Sequence, residues 1–108
     1  MIARIWHGIT PRSKADEYIE FLNNTGVKDY RATEGNLGTY VLRRIEGDQA
    51  HFLTLTFWDS QEVIARFAGE DIEEAQYCPE DVDFLLEFEP TVSHYEEIGR
   101  HQSSVNSL

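Results

Sequence analysis

The chain has 108 residues, 41% of them hydrophobic and 12% aromatic, a size and composition that fit one globular domain. Twenty Asp and Glu against nine Lys and Arg give a formal net charge of −11, which argues against nucleic acid and against anionic membrane surfaces, since both need clustered basic residues. The lone Cys78 cannot form an internal disulfide or a Cys-only zinc site.

No apolar run reaches the roughly 20 residues of a membrane span. The N-terminus also lacks the apolar core of a signal peptide, so the expected compartment is the cytoplasm. Ile2 to Ile9 is rich in Ile and Trp and reads as a strand ended by Thr10-Pro11. Ala3, Ile5 and Ile9 make its plainer apolar face, interrupted by His7, while Ile2, Arg4 and Trp6 make the other. A helix follows from about Ser13, with Ala15, Tyr18, Ile19 and Leu22 on one stripe. Asn23-Asn24-Thr25-Gly26 stops or weakens it, Gly26 being a natural C-terminal residue. Val27 to Glu34 is read as a short irregular helical turn.

Gly35-Asn36 is turn chemistry, Leu37 to Ile45 alternates as a second strand, and Gly47-Asp48 is a hairpin turn. In the third strand Phe52, Thr54, Thr56 and Trp58 share one face, and Leu53, Leu55 and Phe57 the other. Asp59 is placed to cap the next helix, with Glu62 in the capping-box position. That helix carries Val63, Ile64 and Phe67 and closes at Gly69. Asp71 to Tyr77 is expected as a further short, acidic helix stopped before Pro79. Val82 to Phe88 is apolar but irregular, open to either a helical turn or an extended run. Thr91 to Ile98 reads as the last strand, and residues 100–108 as a flexible polar tail behind a domain of residues 1–99.

The order β-α-β-β-α-β predicts an α+β, ferredoxin-like fold with a four-stranded antiparallel sheet. Both helices must cover one face. The row with two hydroxyls and an indole, namely Phe52, Thr54, Thr56 and Trp58, together with Trp6, is expected to be the other, bare face. An aromatic face of that extent marks an interface or a ligand groove, and a homodimer with its sheets face to face meets both needs.

The stretch Phe57-Trp58-Asp59-Ser60-Gln61-Glu62-Val63-Ile64 resembles the strand-to-helix signature of antibiotic-biosynthesis-monooxygenase-type domains, which are dimeric α/β barrels. The resemblance runs from about Ile2 to Ile98. It is denser at Arg4 to Gly8, Gly35 to Gly38 and Phe67 to Ile72, and Tyr77 to Asp81 and His94 to Glu96 resemble a bacterial subgroup without an assigned reaction. It implies a fold, and only loosely a reaction. The pocket Trp of the family's cofactor-free oxygenases matches Trp58. Their Asn, Tyr and Arg positions fall near Thr54, Ile64 and Cys78, which departs from that pattern. In the haem-degrading branch the iron-ligand position falls near Tyr77, the helix Trp near Phe67 and the strand Asn at Trp6 or His7, so those residues are not kept.

The function implied is a cofactor-independent monooxygenase that oxidises a flat aromatic, quinol- or phenol-type molecule with O2. A non-catalytic ligand-binding or stress-response barrel stays open as an alternative, as does a haem-binding protein of atypical ligation. His7 and His94 are candidate bases, because a neutral imidazole accepts a phenol proton near pH 7. Tyr77 is a candidate donor to a substrate oxygen. Trp58, Trp6, Phe52, Phe67, Thr54 and Thr56 are candidate pocket residues, and Arg4 a candidate partner for a carboxylate or oxyanion. The carboxylates between Asp71 and Asp83 match no calcium loop and are read as a solvated face, so neither a metal nor a cofactor is expected. Dinucleotide, P-loop, zincin and serine-elbow motifs do not occur.

Overall fold

The computed structural model describes residues 1–101, 103 and 104. Its strands are β1 (Ile2–Pro11), β2 (Asn36–Glu46), β3 (Gln49–Trp58) and β4 (Ser93–Glu96). Its helices are α1 (Ala15–Asn24), α2 (Gly26–Ala32) and α3 (Gln61–Ala68), with 3-10 turns at Arg12–Lys14 and Pro79–Asp83. The four strands form one sheet in the order β2-β3-β1-β4, every neighbouring pair antiparallel. This is the ferredoxin-like α+β arrangement. No helix of the described residues is long and apolar enough to cross a membrane. Of the expected polar tail, residues 102 and 105–108 lie outside the described residues.

The hairpin between β2 and β3 turns at Gly47, whose φ of 59° is the left-handed conformation glycine adopts without strain. α3 begins one residue later than expected: Ser60, not Asp59, is its cap, its hydroxyl accepting from the Val63 amide at 3.3 Å. It closes at Gly69, with φ 85°. Gly26 does not end α1 but begins α2, and Thr25 is the hinge between the two helices.

The acidic helix expected over Asp71 to Tyr77 does not form. There the backbone pairs with the approach to β4 instead, through Ala75 N–H to Pro90 O at 2.9 Å and Val92 N–H to Glu73 O at 2.8 Å. β4 pairs only with Ile2 to Ile5 of β1. Beyond that point the free edge of β1 is covered by the irregular segment before β4, where the Leu86 amide donates to Ile9 O at 2.9 Å.

The assignment of sheet faces is the reverse of the expectation. Arg4, Trp6, Phe52, Thr54, Thr56 and Trp58 are all buried beneath the helices, with Phe52 and Trp58 at 0% exposure. Burying an apolar side chain such as Phe52 contributes about 1.5–3 kcal/mol. The bare face carries Ile5, Leu53, Leu55 and Phe57, all half-buried, with exposed Tyr40 and Leu42 beside them. The hydroxyls do not mark a wet face because they are satisfied inside: Thr56 Oγ1 donates to Arg4 O at 3.3 Å and accepts from Trp58 Nε1 at 2.8 Å.

Candidate functional site

A cavity enclosing about 50 Å³ lies between the buried sheet face and the helices. β1 supplies Arg4 and Trp6, β3 Thr54, α1 Tyr18, Phe21 and Leu22, and α2 Tyr30. Thr25 and Gly26 at the helix hinge, with Gln76, Tyr77, Cys78 and Asp81 from the irregular segment and Val92 just before β4, complete the lining. Strand alternation explains why Arg4 and Trp6 arrive on the same side. Gly8, the next residue on that side, is where Trp6 lies across its own strand: a Cβ there would meet Trp6 Cη2 at 2.2 Å.

The aromatic wall is held by polar tips. Trp6 Nε1 donates to the Tyr77 hydroxyl at 3.2 Å, and that hydroxyl donates to Glu89 O at 2.5 Å. Burial pushes the Tyr77 phenol above its ordinary pKa, the indole donor opposing it. Tyr18 donates to Asp81 Oδ1 at 3.4 Å, and Asp81 Oδ2 accepts from the Cys78 amide at 2.7 Å. Burial also raises the Asp81 carboxyl, the Cys78 amide and Tyr18 hydroxyl opposing it, and raises the Cys78 thiol, which is therefore not an activated thiolate.

Arg4 is the charged centre of the site and is 2% exposed. Its Nη1 donates to Ile72 O and to His94 Nε2, the latter at 3.1 Å, and Nη2 donates to Glu74 O at 3.3 Å. The guanidinium also lies 5.7 Å from the centroid of the Phe67 ring, a cation–π distance. Burial pulls its pKa below the ordinary range, while the Tyr30 hydroxyl beside it opposes the shift. Nε is buried without a partner. Among the described residues no carboxylate lies within ion-pair distance of it.

The candidate residues thus divide into groups. Arg4, Trp6, Thr54 and Tyr77 meet at the cavity. Trp58, Phe67 and Tyr30 form an adjoining cluster, with centroids 5.9 Å apart for Trp58–Phe67 and 4.6 Å for Tyr30–Phe67, and of these three only Tyr30 reaches the lining. Phe52 packs edge-on against Tyr18, 5.1 Å between centroids, and Thr56 is taken up by the Trp58 indole. His94 faces Arg4 across the β1–β4 pairing. Burial, and next the Arg4 charge, hold its pKa below the ordinary value of 6.5. Its Nε2 therefore accepts from Arg4, leaving it a positioning group for the guanidinium.

His7 belongs to the opposite face. Its Nδ1 bonds the Glu89 carboxylate and its Nε2 lies 3.0 Å from His51 Nδ1, so it does not join Arg4 and Trp6. Tyr30 and Asp81 are site residues the sequence reading missed. Asp81 had a signal: Pro79 opening a turn with an acid two residues on is N-terminal capping chemistry. Tyr30 had none, since its segment carries no clear helical stripe.

Among the described residues no group of three or more His, Cys, Asp or Glu is disposed to hold a metal ion. Haem does not fit the residues present. The Tyr77 hydroxyl is committed twice and the His94 lone pair points at a cation, so neither is free to ligate iron.

No family model and no curated protein matches the chain in sequence. Solved structures do match in fold. The haem-degrader MhuD from Mycobacterium tuberculosis, with two haems bound in its active site, aligns at a TM-score of 0.63 with 17% identity, over 94% of this chain and 100% of its own. A provisionally named antibiotic biosynthesis monooxygenase from Bacillus cereus aligns at 0.63 with 12% identity, over 98% of each chain. Rv0793 from Mycobacterium tuberculosis aligns at 0.58 with 14% identity, over 94% of this chain and 98% of its own. The chain therefore has the fold of the antibiotic-biosynthesis-monooxygenase-like proteins.

Proposed function

We propose that the chain is a cytoplasmic, homodimeric small-molecule protein whose cavity takes a flat aromatic phenol or quinol and oxidises it with O2 without a cofactor. The observation that carries this reading is the cavity itself, where Trp6, Tyr30 and Tyr77 surround the buried Arg4 cation. In such a reaction the ionised substrate gives electrons to O2. In a phenol of the anthrone type, whose keto tautomer carries a ring CH2, that CH2 becomes a carbonyl, one oxygen atom staying on carbon and the other leaving as water. The protein's part is to bind, hold the anionic form and exclude water. The apolar, bare sheet face supports the dimer, since a patch of that extent is normally covered.

Oxygen uptake by metal-free protein over a panel of quinols and anthrones tests the reaction. Uptake above the autoxidation rate, diminished at least about tenfold in Trp6→Phe and retained in His7→Ala, is the expected result. A non-catalytic binding role has its own support, because neither His94 nor Tyr77 offers a free basic atom to the cavity. Ligand-induced thermal stabilisation without oxygen uptake would select that reading.

A further inference from the structure

Arg4 is an anomaly of charge. The chain has twenty carboxylates and only nine Lys and Arg, so partners for a cation are abundant. Surface arginines find them: Arg43 Nη1 meets Asp16 at 3.0 Å and Arg44 Nη2 meets Glu46 at 2.7 Å. Arg4, at 2% exposure, is the one buried deepest and is served by carbonyl oxygens, a neutral imidazole, the Tyr30 hydroxyl and the Phe67 ring, none of them a carboxylate. A buried charge without an opposite charge is costly, and dipoles offset only part of that cost. One N–H, that of Nε, has no partner at all. The same side chain lines the cavity. The nearest carboxylate in the lining, Asp81, spends its oxygens on Tyr18 and on the Cys78 amide.

We infer that the missing counter-charge is the ligand's, and that the cavity selects an aromatic molecule bearing an ionised oxygen, a carboxylate or an acidic phenolate, over its neutral isostere. This rests on the aromatic-pocket reading above and adds that binding itself, apart from any reaction, selects the charged ligand over the neutral one through Arg4. A guanidinium is suited to the task because it offers planar donors to an oxyanion, and desolvation strengthens the pairing. It also gives the site a means of working without a free base: Arg4 favours the ionised form of a bound acid, which lowers that acid's pKa in the complex. Thr54 and Tyr30 border the same space, their hydroxyls bonded to each other and the Tyr30 hydroxyl also to Arg4. The volume of about 50 Å³ matches the acidic group, and Gln76, Tyr77 and Cys78 of the irregular segment line the side from which a ring would enter.

The test is calorimetric titration of the unmodified protein with 2-naphthoate and with 2-naphthamide, a pair matched in shape and differing in charge. We expect naphthoate to bind at least about tenfold tighter, and Arg4→Met to abolish the difference while Arg4→Lys keeps part of it. Equal binding of the two would overturn the inference and leave the aromatic-pocket reading standing. Binding of neither would overturn both. Sodium acetate stabilising the protein as much as naphthoate does would also overturn it, marking a small-anion site only. If Arg4→Met does not fold, the comparison on the unmodified protein still decides.

Discussion

The two faces of the sheet are built from the same residue classes, yet they do different things. Under the helices, Trp58, Phe52 and Trp6 are packed with Thr54, Thr56 and Arg4, and among the described residues only Arg4 Nε and, opposite Trp58, Asn36 Nδ2 are buried without a partner. On the bare face, Leu53, Leu55 and Phe57 are only half-covered, and the polar groups are a chain of Glu89, His7, His51 and Glu46 at its margin. The lesson is that enclosure, rather than composition, decides where chemistry is concentrated. A cation on the bare face would be paired or solvated, whereas under the helices it stays uncompensated until something is bound.

That contrast can be broken by experiment. Trp58→Ala opens a cavity beneath α3 and should cost about 3–5 kcal/mol in denaturant unfolding; a loss below about 1 kcal/mol would mean this face is not the core. A methyl group tests the two faces next. Gly8→Ala drives a Cβ into the Trp6 ring and should cost about 1–3 kcal/mol. Gly38→Ala, on the bare face, meets only Tyr40 Cε2 at 3.9 Å and should change stability by no more than about 0.5 kcal/mol, of either sign.

Leu55→Lys sharpens the comparison from the other side. It should leave the helical and strand content intact and shift a dimer to a monomer in light scattering, weakening association by about tenfold or more. A wild-type monomer at micromolar concentration would remove the bare face as an interface.

The smallest effect is electrostatic. The His94 pKa is held down in the folded state, so the unfolded chain binds the extra proton first as the pH falls. Stability should be unaffected by this group above its ordinary value of 6.5. It should decline as the pH drops through the window between 6.5 and the lower folded value, with the penalty complete below that window. His94→Gln should flatten that part of the profile measured by thermal unfolding against pH.

Most of the element order was legible because it depends on local signals. Alternation in β1 and β3, the Gly47 turn, the stripe of α1 and the Gly69 stop each depend on neighbours in sequence. Asp71 to Tyr77 failed the same reading because its backbone found partners around Pro90, some fifteen residues on, and non-local pairing overrides a weak local preference.

The site was half legible. Arg4, Trp6, Thr54 and Tyr77 could be named from residue type and alternation, but Tyr30 arrived only because α2 folds back over the sheet. Alternation says which residues share a face and is silent on which face the helices cover, since that choice is made by packing across the whole chain. The same holds for the charge on Arg4. Its presence on β1 is a matter of sequence, whereas its isolation from all twenty carboxylates among the described residues is a matter of where the chain puts everything else.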